Sequence, residues 1–506
     1  MVFVFKFQSV GEVGAHISAL FMDFLAHHAH AQNLAYATAL ERFFLQASEQ
    51  EAQNFAQILS DRLPLSLSFS FLGVELSQEK IEWQTQPKEC PLLDILQERE
   101  ALEKCLLKPY LSAFRYKNEA YTTPAQIQSA LEQMTRTLQE GDTLTVQTTR
   151  GLKKLSCTPL EGAQVLFLDL ASVLSCTRAD HKSAQVLCAL EKPSMIATLK
   201  EVFVNEFKSL EICACLPYDF GLALLARALL KKEIAYLFMA DSSGVADFSY
   251  ICNAPSLPAQ VFSVGKSALL LPHAYTHAQD TLEFVRQEAP KEPHLLIYLN
   301  FERPSCFWVY EEGYKQLIDL SVPTHPSAFI AQLKSNAKGR KLYANYQKAY
   351  PELCTRLEQE PSTPPEPSTN LLDFLGGLVR VLGFENTHNP RALFTHAKSF
   401  LRSKGPHIDF KLAKNPPNLN PAPTIRSAVS YTLGGTDVPT MCFGILDSLA
   451  EFLGNVIYDA QSQFKFNQVY LCGDVFLEKV FLDLCLEYFP KGCLFPLTYM
   501  DYQQSA

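Results

Sequence analysis

The chain has 506 residues, of which 47% are hydrophobic and 19% are charged, and it carries a formal net charge of −9. This length predicts roughly three domains, and the composition is typical of folded domains with large cores. The acidic balance, without a basic tail or a run of lysines and arginines, argues against nucleic acid as the main partner.

The sequence predicts a cytoplasmic protein, because it shows no targeting signal and its cysteines are scattered. No apolar run reaches about 18 residues, so the sequence predicts no membrane span. The N-terminus, MVFVFKFQSVGE, is typical of a strand rather than of a signal peptide. The 14 cysteines are scattered without a C-x-x-C pair, the closest being Cys213 and Cys215. A zinc ribbon needs two close pairs, so we expect reduced, mostly buried thiols.

Residues 1–82 predict a small α+β unit. Alternating and helical spacings of apolar residues predict two strands and two helices, at Val2–Phe7, Leu65–Leu76, Val13–His30 and Gln50–Arg62. The histidines near the end of the first helix are expected on its surface: His27, His28 and His30. Residues 83–123 are polar and helical in pattern, which is typical of a connector.

Residues 124–256 predict a second, mixed α/β unit. Pro124 follows Thr122 and Thr123 and is a favoured first residue of a helix, which Gly141 ends. Further strands are predicted at Asp142–Thr149, Gln164–Leu170, Glu211–Ala214 and Ile234–Met239, and further helices at Asp180–Leu190, Ser194–Val204 and Phe220–Lys231. The interleaving of strands and helices predicts mixed α/β architecture.

Residues 257–506 predict a third unit. A hairpin is expected around Gly265, a strand pair at Leu295–Phe301 and Cys306–Tyr310, and an apolar helix at Asn370–Leu382. The five prolines of Pro406–Thr424 predict irregular structure, and Pro439–Asp459 predicts a long helix.

The end of the chain has the most informative pattern. A strand at Val469–Leu471, a turn at Cys472–Asp474, a helix and a strand at Cys493–Leu497 lead to Asp501. A strand, a glycine turn and a helix are the geometry in which backbone N–H groups meet an anion at a helix N-terminus.

This block, LCGDVFLEKVFLDLCLEYFPKGCLFPLTYMD, resembles the C-terminal end of the HypF family, the carbamoyltransferases of NiFe-hydrogenase maturation. In that family a strand is followed by the motif S-G-G-V-F-Q-N, a helix, a second strand and the dipeptide N-D. Other segments resemble the same family in the same order. Ala130–Pro159 resembles the start of its YrdC-like adenylating domain, LEKPSM its K-P-F segment, CLPYDFGLALLARAL its L-P-Y-T-P-L-H segment, YLFMADSSG its S-x-N segment and AQVFSVGKSAL the start of its transferase domain.

The resemblance implies a multidomain fold of α/β and α+β units. It implies an acylphosphatase-like unit at 1–82, a connector without zinc knuckles at 83–123, a YrdC-like α/β domain at 124–256 and an actin-like, TsaD-type transferase domain of the ASKHA class at 257–506. The family uses ATP and a divalent metal, although no cofactor is certain for this chain. The implied nucleotide-binding residues are Lys192, Ser242, Ser243 and Gly473, and the implied metal ligand is Asp501.

Several family features are replaced in this chain. The turn from Gln8 to His16 has no arginine to hold a phosphate and carries Glu12 instead. The connector has only Cys90 and Cys105, which is too few ligands for zinc. Arg150, Lys153 and Lys154 supply positive charge after the first strand of the second unit, where the S-x-N segment is shortened to Asp241–Ser243.

The third unit also departs from the family. Gly376 stands at the position of a family aspartate, and Asp474 at that of the second glycine of the S-G-G turn. His273 and His277 have the spacing of two metal ligands on one helix face. The alternative is that they are surface histidines or histidines with ordinary hydrogen-bond partners.

We therefore expect an accessory protein of hydrogenase maturation, a pseudoenzyme of the carbamoyltransferase family with unknown catalytic residues. Its expected partners are a hydrogenase subunit or other maturation proteins. The alternative is an active ATP-dependent carbamoyltransferase, acting through a carbamoyl adenylate, with altered ligands. A tRNA-modifying fusion of the same domain types is disfavoured by the acidic balance.

Overall fold

The structure, a computed structural model, is described for residues 1–9, 11–84, 86, 89–103, 114–117, 119–121, 123–250, 257, 259–266, 269–273, 292–359, 366–400, 404–414 and 417–490. The chain folds as two compact units, Met1–Phe262 and Ser263–Ala506. Both combine helices with sheets, so the mixed α/β class is confirmed at this level. The finer domain boundaries stay predictions.

The first unit begins with an antiparallel sheet whose strand order is β2-β3-β1-β4. Two helices cover one face of this sheet, because the phenylalanines of alternate strand positions pack against them. The elements are β1 (Val2–Ser9), α1 (Gly11–Ala31), β2 (Ala35–Ala39), β3 (Arg42–Gln46), α2 (Glu49–Arg62) and β4 (Phe69–Leu76).

The predicted surface position of His28 is wrong. Its side chain is 7% exposed and packs edge-on against Phe24 with the ring centroids 4.4 Å apart. Burial lowers the pKa of His28 to about 4, since the charged imidazolium would lose its hydration. The apolar spacing of α1 therefore includes this histidine on its core face.

The rest of the first unit contains a larger mixed sheet in which β5 to β13 lie in the order β10-β11-β9-β12-β8-β7-β13-β5-β6. Helix α4 has a capping box, because Thr123 and Gln126 satisfy each other's backbone amides. The elements are α3 (Pro91–Glu103), β5 (Phe114–Tyr116), β6 (Glu119–Ala120), α4 (Pro124–Gln139), β7 (Leu144–Thr148), β8 (Gly151–Ser156), β9 (Gln164–Phe167), α5 (Leu170–Cys176), α6 (His181–Gln185), a 3-10 turn (Val186–Cys188), β10 (Ser194–Thr198), α7 (Glu201–Phe207), β11 (Glu211–Cys215), α8 (Phe220–Leu230), β12 (Tyr236–Asp241), β13 (Phe248–Tyr250) and β14 (Val261–Val264), in which the chain passes to the second unit.

Two predictions in this region are wrong. Ser194–Thr198 is a strand rather than the start of a helix, and it pairs antiparallel with β11. A short apolar run fits either element, and strand pairing decided here. The connector is not only helical, because β5 and β6 pair at its described end.

The second unit contains a sheet of order β18-β17-β16-β21, in which β16 and β21 run parallel. Helices surround it and bury an extensive apolar core. The elements are β15 (Leu270–Pro272), β16 (His294–Tyr298), β17 (Cys306–Tyr310), β18 (Tyr314–Gln316), α9 (Pro326–Leu333), α10 (Ala337–Ala349), α11 (Pro351–Glu358), α12 (Leu371–Val381), α13 (Pro390–Lys398), β19 (Lys411–Lys414), β20 (Pro417–Asn420), α14 (Pro421–Leu433), α15 (Val438–Phe464), β21 (Gln468–Cys472), a 3-10 turn (Asp474–Leu477) and α16 (Lys479–Tyr488).

The predicted irregular structure of Pro406–Thr424 is wrong over its second half. Strands β19 and β20 pair as a hairpin, and α14 starts at Pro421. Prolines fit the end of a strand and the first turn of a helix, where no amide donor is needed. The prolines mark boundaries of elements here.

Helix α15 is long and apolar enough to cross a bilayer by length and composition alone. Within the unit, 78% of its most apolar window is buried, so these side chains pack in the protein core. Among the described elements it is the helix that passes this test.

Candidate functional site

The turn between β7 and β8 joins two segments that are far apart in the sequence. Arg150, in this turn, donates from its guanidinium to the carbonyl oxygen of Glu191 at 2.6 Å, next to Lys192. Two residues after Arg150, the carbonyl oxygen of Leu152 accepts the amide hydrogen of Ser242 at 3.0 Å. The segments predicted to bind a nucleotide therefore meet the same turn.

Arg150 is a half-buried cation without an ion pair in the described part of the chain. Its guanidinium lies 4.3 Å from the centroid of the Tyr218 ring, and burial lowers its pKa. The Tyr218 hydroxyl donates to Thr148 at 3.1 Å, and the carboxylate of Asp219 accepts the amide of Thr149 at 3.0 Å. Tyr218 and Asp219 were not among the predicted site residues, although both lie in the CLPYDF segment.

Lys192 occupies a tight turn, and the serines follow a strand. The backbone of Lys192 is left-handed, with φ of 47°, and its amide donates to the carbonyl oxygen of Ala189 at 3.0 Å. Ser242 is half-buried and Ser243 is exposed. Lys153 forms an ion pair with Asp241, so one of the expected cations is offset by the acid at the end of β12.

Glu191 fixes the Lys192 turn to the N-terminal sheet. Its side chain is fully buried. One carboxylate oxygen accepts hydrogen bonds from the hydroxyls of Ser66 and Ser68, at 2.5 and 2.7 Å. The same oxygen accepts the backbone amides of Leu67 and Ser68, at 3.0 and 3.2 Å. The other oxygen has no hydrogen-bond partner among the residues that the structure describes. A Cβ on Gly14 would lie 2.7 Å from the Ser68 carbonyl oxygen, so this segment also packs against the start of α1.

Ser9, at the start of the segment where the family has a phosphate-binding arginine, contacts an acid from the turn between β2 and β3. The carboxylate of Glu41 accepts the amide of Ser9 at 2.7 Å and also its hydroxyl. These hydrogen bonds lower the pKa of Glu41, so the side chain is anionic at neutral pH. An acid at this position opposes the binding of a second anion.

In the second unit, Gly473 is used for packing. Its φ is 104°, and a Cβ on it would lie 1.9 Å from the carbonyl oxygen of Leu299. The Leu299 amide donates to the carbonyl oxygen of Cys472 at 2.9 Å. The predicted nucleotide-binding glycine therefore lets the end of β21 lie directly on the chain that follows β16.

Asp474 is a mostly buried acid in the same turn. One carboxylate oxygen accepts the Phe301 amide at 3.0 Å, and the other lies 3.5 Å from the guanidinium of Arg391. That guanidinium also lies 4.1 Å from the centroid of the Phe301 ring. Desolvation raises the pKa of Asp474 to about 6, against the opposing effects of the Phe301 amide and Arg391.

A polar cavity of about 510 Å³ lies at the N-terminus of α12. Asn370 caps this helix. It also connects the cavity to the segment that follows β16, because its side-chain amide donates to the carbonyl oxygens of Asn300 and Phe301. Acids, histidines and an arginine together line the cavity: Thr324, His325, Glu366, Ser368, Asp373, Arg380 and His388.

Asp373 and His388 form an acid–histidine pair in this cavity. The His388 Nε2 lies 3.4 Å from one oxygen of Asp373, and the other oxygen accepts the Ser368 hydroxyl at 2.6 Å. The hydrogen bond from His388, and secondarily that from Ser368, lowers the pKa of Asp373. A Cβ on Gly376 would lie 2.9 Å from the imidazole, so this glycine provides room for His388. Such a pair can bind a small polar ligand and exchange a proton with it.

The metal-site predictions fall largely outside the described residues. Asp501, His277 and the strand predicted at Cys493–Leu497 lie there. No group of three histidine, cysteine, aspartate or glutamate side chains that could hold a metal is found among the described residues. His273 is within 2.9 Å of the Ser263 hydroxyl, and burial lowers its pKa to about 4.

Three comparisons with known proteins bear on this geometry. No protein-family model matches the chain. Protein HydE of Wolinella succinogenes is 28% identical over 507 aligned positions, covering 91% of this chain and 92% of that protein. A full-length HypF crystal structure, in a phosphate- and nucleotide-bound form, has a TM-score of 0.58 at 10% identity over 96% of this chain and 94% of its own. The crystal structure of HypF from T. kodakarensis has a TM-score of 0.58 at 12% identity, and the match covers 98% of this chain and 94% of that one.

The chain is a HypF-like multidomain α/β protein, since the similarity in fold extends over nearly the full length of both chains. Within that class it is a distant homologue of Protein HydE.

Proposed function

We propose that this protein is an accessory factor in the maturation or assembly of NiFe hydrogenase, and that it acts in the cytoplasm. The observation that carries the proposal is its likeness to HypF over 96% of the chain, together with its homology to Protein HydE. Under this proposal the two units correspond to acylphosphatase-like, YrdC-like and TsaD-like domains.

The protein acts by binding a hydrogenase subunit or another maturation protein, without transferring a carbamoyl group. Two carboxylates support the loss of catalysis. Glu41 engages Ser9 at the turn where the family holds a phosphate, and Asp474 stands where the family pattern has a glycine. Both acids disfavour the approach of an anionic substrate at neutral pH.

The experiment is an affinity purification of the tagged full chain from cells that make NiFe hydrogenase, with a deletion strain assayed in parallel. We expect recovery of a hydrogenase subunit or maturation protein and loss of hydrogenase activity in the deletion strain. Recovery of neither class of protein, together with wild-type hydrogenase activity in the deletion strain, would reject the proposal.

The second candidate is an active ATP-dependent carbamoyltransferase with relocated ligands. Arg150 favours it, because a half-buried cation without an ion pair in the described part of the chain offers a position for a phosphate. The Asp373 and His388 pair favours it as well, because it offers proton transfer in a cavity large enough for a small substrate.

Titration calorimetry with ATP and an assay of pyrophosphate exchange with carbamoyl phosphate distinguish the two candidates. The transferase requires ATP binding that Lys192→Gln and Arg150→Gln weaken, with Lys232→Gln as the control for a lost cation, and it requires exchange that His388→Gln abolishes. The accessory factor predicts no exchange with the wild-type protein.

A further inference from the structure

Strand β4 forms an open edge of the N-terminal sheet. It pairs antiparallel with β1 on one side, and on its other side no described strand pairs with it. Four of its apolar side chains are largely exposed: Phe71 at 57%, Leu72 at 61%, Val74 at 45% and Leu76 at 65%. Long apolar edge strands template pairing with another strand, and natural proteins usually shield them with charge, proline or a covering element.

The direction of the free backbone groups follows from the ladder with β1. Ser77 donates its amide to the carbonyl oxygen of Val2 at 2.9 Å, so its backbone groups point inward. Since directions alternate along a strand, those of Leu76 and Val74 point outward. The register shift that leaves Leu72 without a partner on β1 restores the outward direction at Phe71 and Phe69.

These outward positions match their own copies about a two-fold axis. When the axis lies between Leu72 and Gly73, antiparallel pairing places Phe71 opposite the second copy's Val74 and Phe69 opposite its Leu76. Ser70 then lies opposite Glu75, and Leu72 opposite Gly73. Each outward group meets an outward group, apolar residues meet apolar residues, polar residues meet each other, and the glycine leaves room for Leu72.

We propose that β4 is a homodimer interface through which two copies of this chain join their N-terminal sheets. The strand is self-complementary in hydrogen-bonding direction and in polarity, which an isologous contact requires. This proposal goes beyond the accessory function and is independent of it.

The size of the contact predicts a reversible dimer. The four exposed side chains and the outward backbone present on the order of 500 Å² per copy, so pairing buries on the order of 1,000 Å² in total, the lower end for a specific interface. The dimer should therefore dissociate on dilution through the micromolar range.

Sedimentation velocity and light scattering of the full chain across that concentration range test the proposal. We expect a monomer–dimer equilibrium for the wild type and a weaker dimer for Val74→Lys. Val202→Lys, at a valine of α7 that is 79% exposed, is the matched control and should leave the equilibrium unchanged.

Two double variants test the register. Phe71→Lys with Val74→Lys places like charges opposite each other twice, whereas Phe71→Glu with Val74→Lys places opposite charges there. The second should dimerise at least roughly tenfold more tightly. A wild type that stays monomeric or forms only irregular aggregates would overturn the proposal, and so would equal association of the two double variants or equal effects of the two valine substitutions. Circular dichroism of each variant verifies its fold, because the Phe71 ring contacts those of Phe5 and Phe7.

Discussion

Two turns of this protein lie in segments that resemble the same family, yet they carry opposite charges. The turn between β7 and β8 presents the cation Arg150 to the Lys192 segment. The turn after β21 places the acid Asp474 at the end of the parallel strands and packs Gly473 against Leu299. Turns that follow strands in the same way can therefore carry opposite charges, since the side chains decide which charge the turn presents.

The largest effect is expected from Gly473→Ala, which tests whether the second turn is a packing element. A methyl group 1.9 Å from the Leu299 carbonyl oxygen, at a φ of 104°, should lower the free energy of unfolding by about 4 kcal/mol. Urea unfolding in a Trp83→Phe background follows Trp308 in the second unit. Gly435→Ala, at a φ of 82° with open space, should cost only about 1 kcal/mol. Equal costs would contradict the packing role.

Glu191→Ala tests the anchoring of the first turn. Removing a fully buried carboxylate leaves four hydrogen-bond donors of the Ser66–Ser68 segment without their acceptor, which should cost about 3 kcal/mol. Unfolding in a Trp308→Phe background follows Trp83 in the first unit. The control is the exposed Glu161→Ala, expected to change stability by less than about 0.5 kcal/mol. A similar small change for Glu191→Ala would show that its hydrogen bonds do not hold the turn.

Asp474→Asn tests the charge of the second turn through pH. Because the pKa of about 6 in the folded state lies above the usual value, the folded protein retains this proton over a range where the unfolded chain has lost it. Stability from this group is therefore present below about pH 4 and is lost as the pH rises through 6, by about 3 kcal/mol. The difference in unfolding free energy between Asp474→Asn and the wild type should grow in favour of the variant over this window. Asp459→Asn, an exposed carboxylate, is the control, and a constant difference would contradict the assignment.

The smallest effect is expected from Arg391→Met. The substitution keeps the apolar stem, removes the cation from the Phe301 ring and Asp474, and should cost about 1 kcal/mol at neutral pH. It should also move the pH dependence of Asp474 upward, because Arg391 favours the ionised carboxylate. Lys341→Met is the control for loss of an exposed cation. An unchanged pH dependence would show that Arg391 does not act on Asp474.

The positions of the elements were largely predictable from local pattern. Helix α4 matches its prediction at Pro124–Gln139, since a capping box and a following glycine are encoded within a few residues. Ser194–Thr198 was mispredicted because a short apolar run suits a helix or a strand until a partner strand is present. His28 was mispredicted because its burial depends on Phe24 and the sheet beneath α1.

The candidate sites were predictable only in part. Lys192 and Ser242 were identified by resemblance. The contacts that join their segments to the Arg150 turn, through Glu191 and Ser242, span long sequence separations, and no local pattern reports them. The Asp373 and His388 pair was missed because Asp373 is in α12 and His388 is in the loop before α13. Gly376 was noted as a lost aspartate, whereas the structure shows it accommodating His388.

The order and type of most elements and the mixed α/β class follow from the amino-acid sequence, because periodicity, capping and turn residues act over short distances. The resemblance to HypF also follows from it, through the order of the matching segments. The tertiary structure alone decided which charges meet. It gave Arg150 a carbonyl oxygen and an aromatic ring, Asp474 a desolvated position beside Arg391, and Glu191 the donors of a segment more than a hundred residues away. Electrostatic environment and burial arise from groups distant in the chain, so they exist only once the chain has folded.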